Sequence, residues 1–276
     1  MIGNFESFIL GIIQGLTEFI PVSSTAHVRV IPALVGWDDP GAAYSAVIQL
    51  GTLIALLIYF RKDVTGFAVE AIRGIFSGKP FEHPDARMAW FLVLGTIPVS
   101  VIGLLFKDFI VGDARSLYVI AGSLIGLAAI LWYADRTSKQ ERDTTDLTWK
   151  HILLIGLAQA MALIPGSSRA GTTLTGGLLL GYTREAAMRI SFLLGIPAIG
   201  LSGLYELYSE WNDLLKPGPM PLLIGIVVSA VSGYASIAFL LNYLKTHSTL
   251  VFVLYRIVLG LLIFALLAAG WLEPGP

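Results

Sequence analysis

Six stretches of this chain, at about 42–60, 88–106, 117–133, 187–207, 221–241 and 250–271, are apolar over the length needed to cross the hydrocarbon core of a bilayer. Lipid offers no partner to a backbone N–H or C=O, so such runs are read as α-helices that satisfy their own hydrogen bonds. Two further stretches are apolar but interrupted. Gly11-Ile-Ile-Gln14-Gly-Leu-Thr-Glu18-Phe-Ile-Pro21-Val-Ser23-Ser24-Thr25-Ala26-His27 echoes Gly156-Leu-Ala-Gln159-Ala-Met-Ala-Leu163-Ile-Pro165-Gly-Ser167-Ser168-Arg169-Ala170-Gly171. With one residue of slippage before the proline, Gln14 matches Gln159, Pro21 matches Pro165 and the serine pairs coincide. Each copy is read as a helix–turn–helix hairpin, over 4–36 and 151–181, that dips into the membrane and returns to its own side.

The expected fold is an all-α polytopic membrane protein, with six transmembrane helices and two re-entrant hairpins in an inverted repeat. A composition of 55% hydrophobic and 13% charged residues fits no ordinary soluble domain. The first repeat is placed at 1–134 and the second at 151–276, with the charge-dense segment from Asp135 to Lys150 between them. Segment 61–87, polar and mixed in charge, is read as a loop. One hairpin plus three spans gives each half an odd number of crossings, so the second half inserts upside down, a plan known from transporter folds. Loops at 61–87, 134–150, 182–189 and 242–249 then share a side that holds 12 of the 18 basic residues, against Lys107, Arg115 and Lys216 on the other. The crowded side is expected to be cytoplasmic, and both termini to face outward.

Polar groups at the depth of the two breaks are functional candidates. A helix restarting after each turn presents unpaired N–H groups and the positive end of its dipole, so two such ends make an anion pocket. Arg169 would add a planar fork suited to phosphate oxygens. Hydroxyls of Ser23, Thr25, Ser168, Thr172 and Thr173 are candidate substrate contacts, although Ser and Thr in such helices often bond back to their own backbone. Gln14 and Glu18, four apart on one helix face, could hold a hard divalent cation, Mg²⁺ or Ca²⁺. Ser24 and His27, three apart, could pair as nucleophile and base. A structural ion pair of Glu18 with Arg169 or Arg256 is the plainer alternative. The net charge of −1 speaks against a nucleic-acid partner.

The first stretch, from Gln14 to His27, resembles the first signature of the bacterial undecaprenyl-diphosphate phosphatases of the bacitracin-resistance type. Ile164-Pro165-Gly166-Ser167-Ser168-Arg169-Ala170-Gly171-Thr172-Thr173 resembles their second. The resemblance implies hydrolysis of undecaprenyl diphosphate to the monophosphate at the outer face of the bacterial inner membrane, with help from a divalent cation. It places Glu18, Ser24, His27 and Arg169 on catalytic positions, Gln14 in the cation-associated slot and Thr173 on the phosphate side. Ala26 and Ala170 stand where the family has Gly and Ser; neither change removes a group with an assigned role. The implied partners are the lipid diphosphate and membrane lipid, and a homodimer is compatible with this reading. A lipid or anion transporter is the rival that the same fold would suit. The membrane acid phosphatases are excluded, because the second box of that superfamily needs a His after its Arg and here Thr175 stands six past Arg169 with no His nearby.

Overall fold

The computed structural model describes residues 2–275, so Met1 and Pro276, the termini expected to face outward, lie outside the described residues. The fold is all-α, with no β-strand among those residues. In chain order the helices are α1 (Asn4–Phe19), α2 (Ser24–Val35), α3 (Gly41–Tyr59), α4 (Arg61–Phe76), α5 (Pro84–Leu105), α6 (Lys107–Val111), α7 (Leu117–Thr137), α8 (Trp149–Ala160), α9 (Arg169–Leu179), α10 (Arg184–Ser209), α11 (Trp211–Leu214), α12 (Pro219–Leu244) and α13 (Leu250–Ala268). Six of them, α3, α5, α7, α10, α12 and α13, are long and apolar enough to cross a membrane.

Each of the six falls on an expected span, and the ends differ for local reasons. α5 begins earlier, at Pro84, whose missing N–H costs nothing in a first turn, while the His83 side chain accepts from the N–H of Asp85. α7 runs on to Thr137 because Asp135 and Arg136 stay helical beyond the apolar section. Hydropathy marks the membrane-facing part of a helix and misses its polar ends. Asp135 is then used as a tie: it accepts from Arg184 Nε at 2.5 Å and from the backbone N–H and hydroxyl of Thr249 at 3.0 and 2.9 Å, joining α7, α10 and α13.

One expectation is corrected. Most of segment 61–87 is the helix α4, not a loop. Val64 and Phe67 pack against the main core while Arg61, Lys62 and Arg73 remain exposed, and Asp63 pairs with Arg189 of α10 at 2.6 Å. The charges that suggested a loop form one face of an amphipathic helix.

Packing partners exchange between the halves. α1 lies along α12, and α8 lies along α5; α3 packs on α10, and α7 on α13. The first two crossings depend on matched glycines. A Cβ on Gly11 would stand 2.9 Å from the carbonyl oxygen of Gly225, and one on Gly156 would stand 2.2 Å from that of Gly95. Gly11 and Gly156 hold the same place in the two echoing stretches, so the repeat seen in sequence is repeated in how closely the helices approach. Leu10, Val28, Tyr44, Val47 and Ile48 form one core cluster near α3, and Ala26, Val30, Leu117, Ile120, Ile263 and Leu267 form another that seats α2 on α7 and α13.

Candidate active site

Both expected breaks are present. α1 ends at Phe19 and α2 restarts at Ser24; α8 continues through a 3₁₀ turn to Leu163 and α9 restarts at Arg169. The residue before each restart is a serine with positive φ, Ser23 at 74° and Ser168 at 68°. Outside glycine that backbone costs about 1–3 kcal/mol. Each serine also caps the helix it opens: Ser23 Oγ accepts from the N–H of Ala26 at 3.3 Å, and Ser168 Oγ from that of Gly171 at 3.1 Å. The serine pairs are therefore one residue out of step with the alignment on Pro21 and Pro165. Ser23 corresponds to Ser168, each nine residues after its glutamine, and Ser24 corresponds to Arg169.

The two turns touch. The N–H of Gly166 donates to Thr25 Oγ1 at 3.5 Å, and Thr25 shares a hydrogen bond with Ser23 Oγ at 3.1 Å. Arg256 of α13, fully buried, braces the second turn from behind, donating from Nη2 to the carbonyls of Gly166 and Ser167 at 3.3 and 2.9 Å. The alternative in which Arg256 neutralises Glu18 is thereby replaced by a backbone clamp.

Glu18 is the meeting point of the halves. Its Oε2 accepts from Ser24 Oγ at 2.6 Å and from Gln14 Nε2 at 2.8 Å, while its Oε1 accepts from Arg169 Nη2 at 3.1 Å. Arg169 is held in turn: Nη1 donates to the Ser191 carbonyl at 3.1 Å, and a Cβ on Gly195 would stand 2.3 Å from the same nitrogen, so only glycine leaves the guanidinium its place against α10. Glu18, Ser24, Thr25, Ser168 and Arg169 all line one cavity of about 490 Å³. Its walls are apolar, with Val99 and Leu104 of α5 facing Ala198 and Leu201 of α10, and its rim carries Lys107, Arg115, Tyr205 and Glu206. Two of the three basic residues on the sparsely charged side thus surround this opening. Lys107 pairs with Glu206 at 3.3 Å, and Arg115 and Arg29 both pair with Asp39, at 2.9 and 3.1 Å. Burial lowers the Lys107 pKa, but Glu206 and Tyr205 outweigh it and hold the ammonium above its ordinary value.

Several expected residues sit elsewhere. His27 does not reach Ser24: its Nδ1 bonds the Ser23 carbonyl at 2.7 Å, which makes Nδ1 the donor, and Nε2 bonds the Tyr255 hydroxyl at 2.6 Å. With Nδ1–H fixed, neutral His27 accepts from Tyr255. The pairing expected from a spacing of three is absent because Ser24, the first helical residue, points to the cavity while His27, one turn on, packs toward α13. Thr172 and Thr173 do not line the cavity, and both hydroxyls donate back to the Arg169 carbonyl, at 3.1 and 2.7 Å. Thr173 also bonds Ser191 Oγ at 2.5 Å, which places it in the support of Arg169. Tyr255 and Ser191 had no signal in the sequence, since neither belongs to a motif and the partner of each lies on another helix.

At the position expected for a cation, both Glu18 oxygens accept from three donors, one of them a guanidinium, while the Oε1 of fully buried Gln14 has no hydrogen-bond partner. No group of three His, Cys, Asp or Glu side chains suited to a metal occurs among the described residues.

Residues 7–262 match the family model described as "Bacitracin resistance protein BacA". The chain is 53% identical to an undecaprenyl-diphosphatase of Chlorobium chlorochromatii, over 98% of this chain and 99% of that protein. It is 54% identical to one of Myxococcus xanthus, over 98% of this chain and 91% of that protein, and 52% identical to one of Chloroherpeton thalassium, over 97% and 98%.

Proposed function

The chain belongs to the family of the bacitracin resistance protein BacA, and from that premise we propose that it hydrolyses undecaprenyl diphosphate to undecaprenyl phosphate and phosphate. Such a reaction recycles the lipid carrier of cell-wall synthesis and supports bacitracin resistance. The observation that carries the reading is the short hydrogen bond from Ser24 to a carboxylate whose other oxygen is paired with Arg169, inside a cavity with apolar walls.

Ser24 attacks the terminal phosphorus and its proton passes to Glu18 Oε2. Glu18 hands that proton to the departing lipid monophosphate as the phosphorus–oxygen bond breaks, leaving phosphate on Ser24; water then attacks the phosphoserine, and its proton passes through Glu18 to Ser24 Oγ as phosphate leaves. Glu18 is the base here, and His27 holds the first turn through the Ser23 carbonyl. Phosphoryl transfer needs positioning and charge stabilisation above all. Arg169 and the opening N–H groups of α2 and α9 supply them, because the first turns of a helix leave those donors free. Ser168 and Thr25 line the phosphate side. A divalent cation, when bound, would neutralise phosphate charge, and no step here is routed through it. Every residue given a role here comes from one chain. A transporter has no use for a serine bonded to a base, and that is what sets the rival reading second.

The test is phosphate release from undecaprenyl diphosphate by purified protein in detergent. Release is expected from wild type, with a fall of at least about 10³-fold in Ser24→Ala and a fall of about tenfold in His27→Gln, the size of a positioning loss. Chelation is expected to act on wild type and Gln14→Leu alike. A well-folded wild type that releases no phosphate, with or without Mg²⁺ or Ca²⁺, overturns the reading.

We infer further that the two broken pairs are re-entrant and enter from opposite faces, and that the cavity rim opens outward from a bacterial inner membrane. The chain contains no cysteine, so single cysteines report orientation without background. In intact cells, Lys107→Cys is expected to react with a membrane-impermeant maleimide and Arg136→Cys is not. The reverse pattern rejects this orientation.

A further inference from the structure

The repeat leaves an amide with neither end partnered. Gln14 and Gln159 are counterparts, each nine residues before the serine that caps the next helix, and both are fully buried. Gln14 spends its amide N–H on the Glu18 carboxylate. In the second copy the position of Glu18 is taken by Leu163, and both Nε2 and Oε1 of Gln159 are buried with no hydrogen-bond partner. Leaving both ends of an amide unpaired in a protein interior is costly, and native structures rarely do so without cause. Gln159 forms part of the wall of the cavity beside Ser168 and Arg169.

We propose that Gln159 binds the diphosphate: its Nε2 donates to an anionic phosphate oxygen, the role that Gln14 plays toward the Glu18 carboxylate. The same donor meets the same kind of acceptor in both copies. In the first copy the anion is built into the chain; in the second the ligand brings it. The inference rests on the proposed phosphatase reading and adds a substrate contact to it. Because Gln159 sits on the α9 side with Arg169, it contacts the phosphoryl oxygens and takes no part in proton transfer, so its loss acts on binding.

The experiment compares wild type, Gln159→Met and Gln159→Glu in detergent, by KM and kcat for phosphate release and by thermal unfolding with and without inorganic diphosphate. Gln159→Met, similar in size and apolar, is expected to raise KM by about tenfold or more, with kcat within a few-fold and Tm not lowered. Gln159→Glu sets a negative charge beside the anion and is expected to bind more weakly still. Inorganic diphosphate is expected to raise the Tm of wild type and to raise that of Gln159→Met less. KM values and diphosphate-induced shifts equal to wild type in both variants overturn the inference. So does a Gln159→Met whose Tm falls while KM stays unchanged, which marks an amide satisfied by a buried water. Absence of phosphate release from wild type defeats the phosphatase reading separately, and the diphosphate shifts still decide the role of Gln159.

Discussion

The two turns share a backbone and differ in what they deliver. In each, a serine with positive φ caps a new helix, and the next residue faces the cavity. In the first turn that residue is Ser24, and the helix before the break brings Glu18. In the second it is Arg169, and Leu163 stands where Glu18 would be. One geometry used twice sets a hydroxyl and a guanidinium on opposite oxygens of a single carboxylate. The scaffold is symmetric because packing repeats; the chemistry is asymmetric because a reaction needs a nucleophile on one side and a charge clamp on the other.

Breaking what the turns share should have the largest effect. Glu18→Gln removes the base for Ser24 and the counter-charge for Arg169 together, and kcat should fall by about 10³-fold or more. A double-mutant cycle sharpens this: Arg169→Met added to Glu18→Gln should cost far less stability than the sum of the single changes, because the second substitution removes the charge that the first left unpaired. Additive effects on thermal unfolding would contradict a coupled pair. Smaller effects should follow from the backbone that the turns have in common. Ser23→Val and Ser168→Val each place a β-branched residue at positive φ and delete a cap, and each should lower stability by about 1–3 kcal/mol. Losses that differ widely between the two sites, measured in the same detergent, would show that the turns are alike in shape but not in strain.

Much of this was legible in the sequence. Apolar length gave the six spans, and Pro followed by a serine pair gave both breaks. What was not legible depends on direction at short range. A spacing of three put Ser24 and His27 on one face, yet the residue that opens a helix points forward to the cavity while His27 turns back to its own cap. Aligning the prolines hid that Ser23, not Ser24, is the counterpart of Ser168, because the cap lies two residues after Pro21 and three after Pro165. Charges at 61–73 read as a loop because Arg61, Lys62, Asp63, Glu70 and Arg73 offset Val64, Phe67, Val69 and Ile72 in mean hydropathy. The clamp of Arg256 on the second turn joins residues 89 or more positions apart, a distance at which a lone sequence carries no pattern.

The ion pair between Glu18 and Arg169 spans 151 residues of chain. A ribosome adding about 5–20 residues per second takes on the order of ten seconds to cover that stretch. Through this interval the first hairpin holds a carboxylate whose cationic partner has not been made, in surroundings where an unpaired charge is expensive. Until α9 arrives, the first half offers that carboxylate only Gln14 and Ser24, so it must lean on those donors or be held protonated. A chain cut off before residue 169 would keep its first three apolar spans and still lack the cation that pairs with the carboxylate of its own first turn.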